Sequence, residues 1–344
     1  MVRTVDVKLN VIRNSAEYAQ LIPTSAPQLR MDESGEIKSS LTGDFIVNED
    51  VDWLSDEIQP VLIIDGVEAP LGVFLPATVT ENEDETSRSV RVEAYDRCWR
   101  VRDTCSASRT YYAAYRKYLD VVELLIEAAG ITSIIKTASS AQLPEAREWA
   151  PGTSYLTIVN ELLSEINYKP LWFNSQGAAI LEPKAEPTAG NIMHTLDSSN
   201  VKSLLLPTFK RELDIYQTPN VFIVVCSNPD KNVAMSATAR NTSALSPLSI
   251  PRRGREIAKV YRVNNIANQA ALQAYADNLR NESMYAGETV DVSTALFPGW
   301  GLDDITALQY DEHLGIYIER SWTMSLESGG TMTHRLERVV ANLG

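Results

Sequence analysis

Apolar and polar residues alternate along most of this chain at the two-residue period of half-buried strands, and switch to a helical period in a few places. Val5, Val7, Leu9 and Val11 alternate with Asp6, Lys8 and Asn10. Successive strand side chains point to opposite faces, so this pattern gives a strand with one buried face. Residues 28–31 and 36–41 flank Asp32-Glu33-Ser34-Gly35, a hairpin in which Gly35 suits positive φ. Residues 61–64 form a buried strand that turns at Asp65-Gly66 and returns through 71–75, and 88–95 alternates strictly. Several short strands with tight turns predict a small barrel or sandwich.

The helical period appears first at 119–129, which Gly130 stops. It returns after Thr153 or Ser154, either of which can cap a helix. There Tyr155, Ile158, Val159, Leu162, Leu163 and Ile166 make one apolar stripe that Asn167 ends. Residues 171–173, the turn Asn174-Ser175-Gln176-Gly177 and 178–182 then form a hairpin beneath that helix, closed by Pro183 and Pro187. Past Pro187 the strand pattern resumes. The run 221–226 is the most apolar in the chain, and it predicts a barrel-wall strand paired on both sides, equivalent to 61–64. The stretch 228–250 is rich in Ser, Thr, Ala and Asn. Such a composition buries too little apolar area to order itself, so it predicts a long polar loop ordered by a neighbour. A helix is expected over 268–284, with Ala271, Leu272, Tyr275 and Leu279 on one face, and Gly329-Gly330 makes the last hairpin turn. The fold class is α+β, mostly β. Its expected parts are a first β-barrel domain over 1–105, a small mixed α/β domain over 106–190 with a helix and a helix-hairpin, and a second β-barrel domain over 191–344. The last carries the polar loop 228–250 and the inserted helix 268–284.

Charge narrows the function classes. Forty-five acids against thirty-one bases give −14, which argues against a nucleic-acid binder with its basic footprint. No apolar run approaches the roughly 18 residues of a membrane span, so no membrane insertion by this chain is expected. The N-terminal residues lack the apolar core of a signal peptide. Cys98, Cys105 and Cys226 have no metal-ligand spacing. Cys98 and Cys105 could pair in an oxidising place, but buried or idle thiols in a chain made in a reducing cytoplasm are the preferred reading.

The candidate chemistry is thin. Acids at 81–85 could bind a divalent cation, yet they lack the glycine and terminal glutamate of a calcium loop, and a solvated hairpin tip is preferred. Tyr111, Tyr112, Tyr115 and Tyr118 among two bases could stack on nucleic-acid bases or sugars. The net acidity opposes this, and Tyr115 and Tyr118 are read as facing the core. Arg252, Arg253 and Arg255 form the one basic cluster, read as a solvated turn or protein contact before an anion site. No phosphate loop, nucleophile elbow or His-Glu-x-x-His motif occurs. His194, His313 and His334 are isolated in sequence and are read as surface or strand residues. Asp303-Asp304 and Asp311-Glu312 could supply a glycosidase pair only across the two doublets, because adjacent strand residues point to opposite faces. The expectation is therefore no catalytic, cofactor-binding or metal-binding residue, no cofactor, and no enzyme.

One resemblance spans nearly the whole chain. GDFIVNEDVDWLSDEIQPVLIIDGVEAPLGVFLPATV followed by SVRVEAYDRCWRVRDT resembles the tail (baseplate) hub proteins of tailed phages and phage-tail-like particles. YLDVVELLIEAAGI with YLTIVNELLSEINYKPLWFNSQGAAILEP resembles their middle domain, and VNNIANQAALQAYADNLRNES with TVDVSTALFPGWGLDDI their second barrel. The resemblance implies two tube-protein-like barrels per copy and a homotrimer whose six barrels match a hexameric tube. It implies a tail tube or distal tail protein above, and tail tip, spike or fibre proteins below. Transient passage of DNA without specific binding is implied, as is a virion component at the phage tail tip, made in the host cytoplasm. Cutting or piercing is expected to lie in another protein, since the chain stops at Gly344 soon after its last strand. The alternative is a cell-wall-degrading or carbohydrate-binding tail protein.

Overall fold

The computed structural model describes residues 3–46, 50–83, 88–184, 189–200, 203–214, 216, 218–228, 233–244, 246–263, 269–285 and 287–339. The chain is mostly β and divides into two compact units. Unit 1 comprises Met1–Glu186, Ala295–Trp300 and Trp322–Met332, and unit 2 comprises Pro187–Thr294, Gly301–Ser321 and Thr333–Gly344. Where the sequence suggests one contiguous block over 191–344, two short segments of it therefore belong to unit 1. Their apolar residues explain this: Leu296, Trp300, Trp322, Met324, Leu326 and Met332 are all buried.

Unit 1 opens with nine strands: β1 (Val5–Arg13), β2 (Ala16–Gln20), β3 (Ile22–Pro23), β4 (Gln28–Asp32), β5 (Ser39–Ile46), β6 (Glu57–Ile64), β7 (Val67–Pro70), β8 (Phe74–Glu83) and β9 (Arg88–Asp96). Their order is β4-β5-β9-β8-β6-β1-β2, with β3 beside β5 and β7 beside β6. The alternation acts as expected: Leu9 and Val11, Leu29 and Met31, and Val90, Val92 and Ala94 are buried at two-residue spacing. Asp65 and Gly66 take φ of 50° and 82°, and two positive φ values at this turn match the twist of the paired strands β6 and β7. Gly35 is not among the positive-φ glycines. It is needed for space instead, since a Cβ there would stand 2.7 Å from the Ile37 carbonyl oxygen.

The rest of unit 1 holds α1 (Cys98–Asp103), β10 (Thr110–Tyr112), α2 (Tyr118–Ala128), β11 (Ile134–Lys136), β12 (Arg147–Trp149), α3 (Tyr155–Glu165), β13 (Trp172–Phe173) and β14 (Ala179–Leu181). The α3 stripe packs with Val121, Val122, Leu125 and Ile126 of α2, and with Leu171, Phe173 and Leu181 of the hairpin, in one core cluster. Asn160 on α3 accepts a 2.8 Å hydrogen bond from the Leu171 amide, which fixes the hairpin to the helix. Asn167 ends the helical run at a φ of 59°. The expected cap is absent. Ser154 occupies the N-cap position but makes no side-chain capping bond, and its buried hydroxyl oxygen has no partner. Thr153 instead donates to the Ala150 carbonyl. Ser154→Ala should therefore leave the urea unfolding midpoint unchanged or raise it. A loss of about 1 kcal/mol, the usual value of a true N-cap, would restore the capping role.

Unit 2 holds β15 (Ile192–Asp197), β16 (Leu205–Leu213), β17 (Val221–Asn228), β18 (Val233–Arg240), α4 (Ile250–Arg253), β19 (Ala258–Val263), α5 (Gln269–Tyr285), β20 (Glu288–Ala295), β21 (Ile305–Tyr310), β22 (His313–Ser325) and β23 (Thr331–Val339). Some strand ends fall in unit 1 by the boundaries above. Those of its strands that belong to the 15-stranded sheet run in the order β16-β20-β23-β22-β21-β15, with β15 parallel to β21.

The structure departs from the sequence pattern in two places. The run 221–226 is paired on both sides, but in a separate three-stranded sheet, β18-β17-β19. It is therefore not the counterpart of 61–64, which lies in the large sheet; its apolarity reflects cover by α5 on one face. Within the expected loop 228–250, Val233–Arg240 is a strand pairing antiparallel with β17 along its whole length. Its Ala237 and Ala239 pack on Leu272 and Ala276 of α5. Small side chains bury little area each, but they let helix and sheet approach closely. The rest of the stretch is also tied down: Leu248 is buried, and Asn241 donates to the Ser246 hydroxyl. The α5 core face is Leu272, Ala276 and Leu279, whereas Tyr275 is exposed and the side chain of Ala271 lies outside those described.

Candidate functional site

The strongest concentration of polar chemistry in unit 2 is a buried cluster on β15, β20, β22 and β23. His334 alternates with Met332 and Leu336 on β23, which places its ring on the inward face between two buried apolar neighbours. Its Nδ1 lies 2.7 Å from Glu319 Oε2 on β22, and its Nε2 lies 2.9 Å from Thr294 Oγ1 on β20. Neither the His334 nor the Glu319 side chain is exposed. Asp304 sits beside them: its carbonyl accepts from the Glu319 amide at 2.9 Å, and its Oδ2 accepts from the Gly301 amide at 2.7 Å and lies 2.8 Å from His194 Nε2.

Burial penalises the charged form of both central groups. It pushes the Glu319 carboxyl well above its ordinary value, helped by the nearby Asp304 charge, and it pulls the His334 imidazole down to about 3, with a smaller contribution from His194. Burial thus favours the neutral form of both groups. In that form the protonated Glu319 carboxyl donates to Nδ1, and the Nε2–H donates to Thr294 Oγ1. With both side chains fully buried, the cluster ties β20, β22 and β23 together. The three histidines are isolated in sequence. The signal for His334 was its place in the alternation Met332-His334-Leu336.

The other sequence candidates fall apart on the structure. Asp303 has a φ of 64° and pairs with Arg320 at 3.0 Å, and Asp304 is consumed in the cluster. Asp311 is a turn residue at φ 50°, its amide donating to the Ser198 hydroxyl. His313 stacks on Phe209 at 5.1 Å. Tyr118 is buried and donates to Glu165 at 2.6 Å, but Tyr115 is 75% exposed at a φ of 67°, so it does not face the core. Glu81 and Glu83 end β8 exposed, and 84–85 lie outside the described residues. Cys98 and Cys226 are buried, Cys105 is exposed, and all three are free thiols. In the basic cluster, Arg252 and Arg255 are exposed and Arg253 donates to the Thr218 carbonyl at 2.6 Å. Among the described residues no group of three or more His, Cys, Asp or Glu could hold a metal ion, and no helix is long and apolar enough to cross a membrane.

The fold is that of phage tail proteins. A tail protein from Neisseria meningitidis MC58 superposes with a TM-score of 0.69 at 14% identity, covering 97% of each chain. The 43 kDa tail protein of prophage MuSo2 from Shewanella oneidensis gives 0.69 at 10% identity, covering 97% of this chain and 98% of that one. An E. coli component of the type VI secretion system, c3393, which is itself structurally similar to the T4 bacteriophage tail proteins gp27 and gp5, gives 0.52 at 11% identity, covering 96% of this chain and 76% of that one. No protein-family model and no curated protein matches the sequence.

Proposed function

We propose that this chain is a structural virion protein, a tail (baseplate) hub that closes the tail tube and joins it to the tail tip. The observation that carries this reading is a fold shared with a tail protein over 97% of both chains. Both units are built largely of paired strands, which suits a protein with two tube-type barrels per copy. In this reading the barrels lie in 1–105 and within 191–344, on either side of the mixed segment 106–190. The second barrel uses the sheet of β16, β20, β23, β22, β21 and β15 in place of the run 221–226. Three copies then form a ring of six barrels that meets the tube or distal tail protein on one side and tip, spike or fibre proteins on the other. Every copy carries −14, so a ring with acidic or neutral walls passes duplex DNA without the counterion release that would hold it.

The test is the mass of the purified chain in solution, with negative-stain images. A threefold ring with a central hole that does not retain duplex DNA at low salt is the expected result. A monomer at all concentrations, or salt-sensitive DNA retention, would overturn it. The exposed Tyr111 and Tyr115, with Arg109 over the Tyr111 ring at 5.6 Å, favour carbohydrate binding as the second reading. Clearing of cell-wall substrate or capture by wall glycans would move the assignment there.

A further inference from the structure

Unit 1 presents an apolar residue that its own fold does not use. Leu54 is 98% exposed, yet the turn that carries it is held on every side. The Leu54 amide donates to Asp52 Oδ1 at 3.1 Å, and the Ser55 hydroxyl donates to Asp52 Oδ2 at 2.7 Å. Asp56 Oδ2 accepts from the Asp52 amide at 2.9 Å. Arg13 on β1 locks the turn from below: its Nε and Nη2 donate to the two oxygens of buried Asp56 at 2.9 and 2.7 Å, and Nη2 also donates to the Asp50 carbonyl. That guanidinium holds the Asp56 carboxyl below its ordinary range. Tyr18 lies over it, 3.8 Å from guanidinium carbon to ring centroid. The result is a rigid apolar knob with exposed Asp50 and Asp52 around it. Rigidity matters because a preformed anchor pays little ordering entropy on binding.

Unit 2 presents the opposite surface. The sheet β18-β17-β19 buries one face against α5. Its other face carries Ile223 and Val225 of β17 and Val260 of β19, the last 55% exposed. On this face Arg262 stands beside Val225 and Arg240 beside Val221, while Ser236 and Thr238 fill the β18 side. Arg240 is already paired with Glu256, so the outward basic contribution comes chiefly from exposed Arg262. The face is apolar at its centre and basic at its rim. In a chain of net charge −14, a basic rim is the exception.

We propose that the Leu54 knob of one copy seats on the Ile223–Val225–Val260 face of the next copy, with Asp50 and Asp52 against Arg262. The occupant is a second copy of this chain because the two surfaces are complementary in both polarity and charge. A contact between two different patches of identical chains is head-to-tail, and it makes a ring when its rotation closes, as the threefold reading requires, and a filament when it does not. The proposal rests on the ring reading above and assigns part of its interface.

Analytical ultracentrifugation of Leu54→Lys, Val260→Glu and the double variant tests it, with Leu54→Ser as a milder second probe. These side chains are exposed in the single copy, so melts taken at dilutions where every form is monomeric should stay with wild type. Each single change should weaken association about thirtyfold or more, the level of an interface anchor. The double variant, which sets Lys against Glu, should recover most of the loss. A wild-type trimer unmoved by the single changes, or a double variant no better than either, overturns this contact and leaves the ring standing. A wild-type chain that stays monomeric overturns the ring, and this contact with it. Duplex DNA held by wild type and released by Val260→Glu would assign the face to nucleic acid and overturn the proposal as well.

Discussion

Leu162→Ala should destabilise unit 1 by about 2–5 kcal/mol, the range for emptying a packed core site. Leu162 is fully buried on α3, in the cluster that joins α1, α2, α3 and the β13–β14 hairpin. The cost has two parts: lost transfer energy, and the contacts that neighbours such as Val122 and Ile126 cannot remake across the gap. Leu124 is the internal control. It lies on α2, in the same part of the chain, but is 44% exposed, so Leu124→Ala should cost within about 0.5 kcal/mol. Urea denaturation followed by far-ultraviolet circular dichroism separates them. Equal losses at the two positions would show that α3 is not the centre of this core.

The contrast also shows what the sequence made legible. Both helix stripes and the alternations in β1 and β9 are visible because large apolar side chains mark the buried face at a fixed period. The Asp65-Gly66 turn is visible because few residues accept positive φ. The misses share a different cause. β18 hides its buried face in Ala237 and Ala239, whose area is too small to register as hydrophobic pattern, although small size is what lets α5 approach. Run 221–226 looks like a wall strand because apolarity reports burial and does not say which sheet provides it. Ser154 has the right residue type in the right place for a cap, but its hydroxyl turns elsewhere. Tyr115 sits at an apolar-looking spacing, yet its left-handed backbone turns it outward. The exposed Leu54 carries no period at all. Its significance comes from Arg13 and Asp56, separated in sequence from each other and joined only in the fold.

The buried pair in unit 2 should leave a signature in the pH dependence of stability. His334 titrates near 6.5 in an unfolded chain but near about 3 in the fold. Its folded value is depressed, so its contribution is complete above about 6.5 and is lost as pH falls towards 3. Glu319 has the opposite sign. Its folded value is raised above 4.5, so its contribution is complete below that value and is lost as pH rises towards the folded one. Between the two unfolded values the limbs oppose each other and the summed slope is small. Above about 6.5 the histidine limb is complete, and the glutamate limb alone lowers stability as pH rises towards its folded value. Glu319→Gln keeps a donor for His334 Nδ1 and cannot ionise. It should match wild type near pH 5 and become the more stable protein as pH rises to 8. Glu319→Ala removes the donor, leaves a buried imidazole nitrogen without its partner and opens a cavity, for a loss of about 3 kcal/mol or more at every pH. If the pair were instead an imidazolium–carboxylate ion pair, Glu319→Gln would break it and lose stability at pH 7. Chemical denaturation of the three proteins from pH 5 to 8 distinguishes the cases, and parallel curves for wild type and Glu319→Gln would refute the neutral pair.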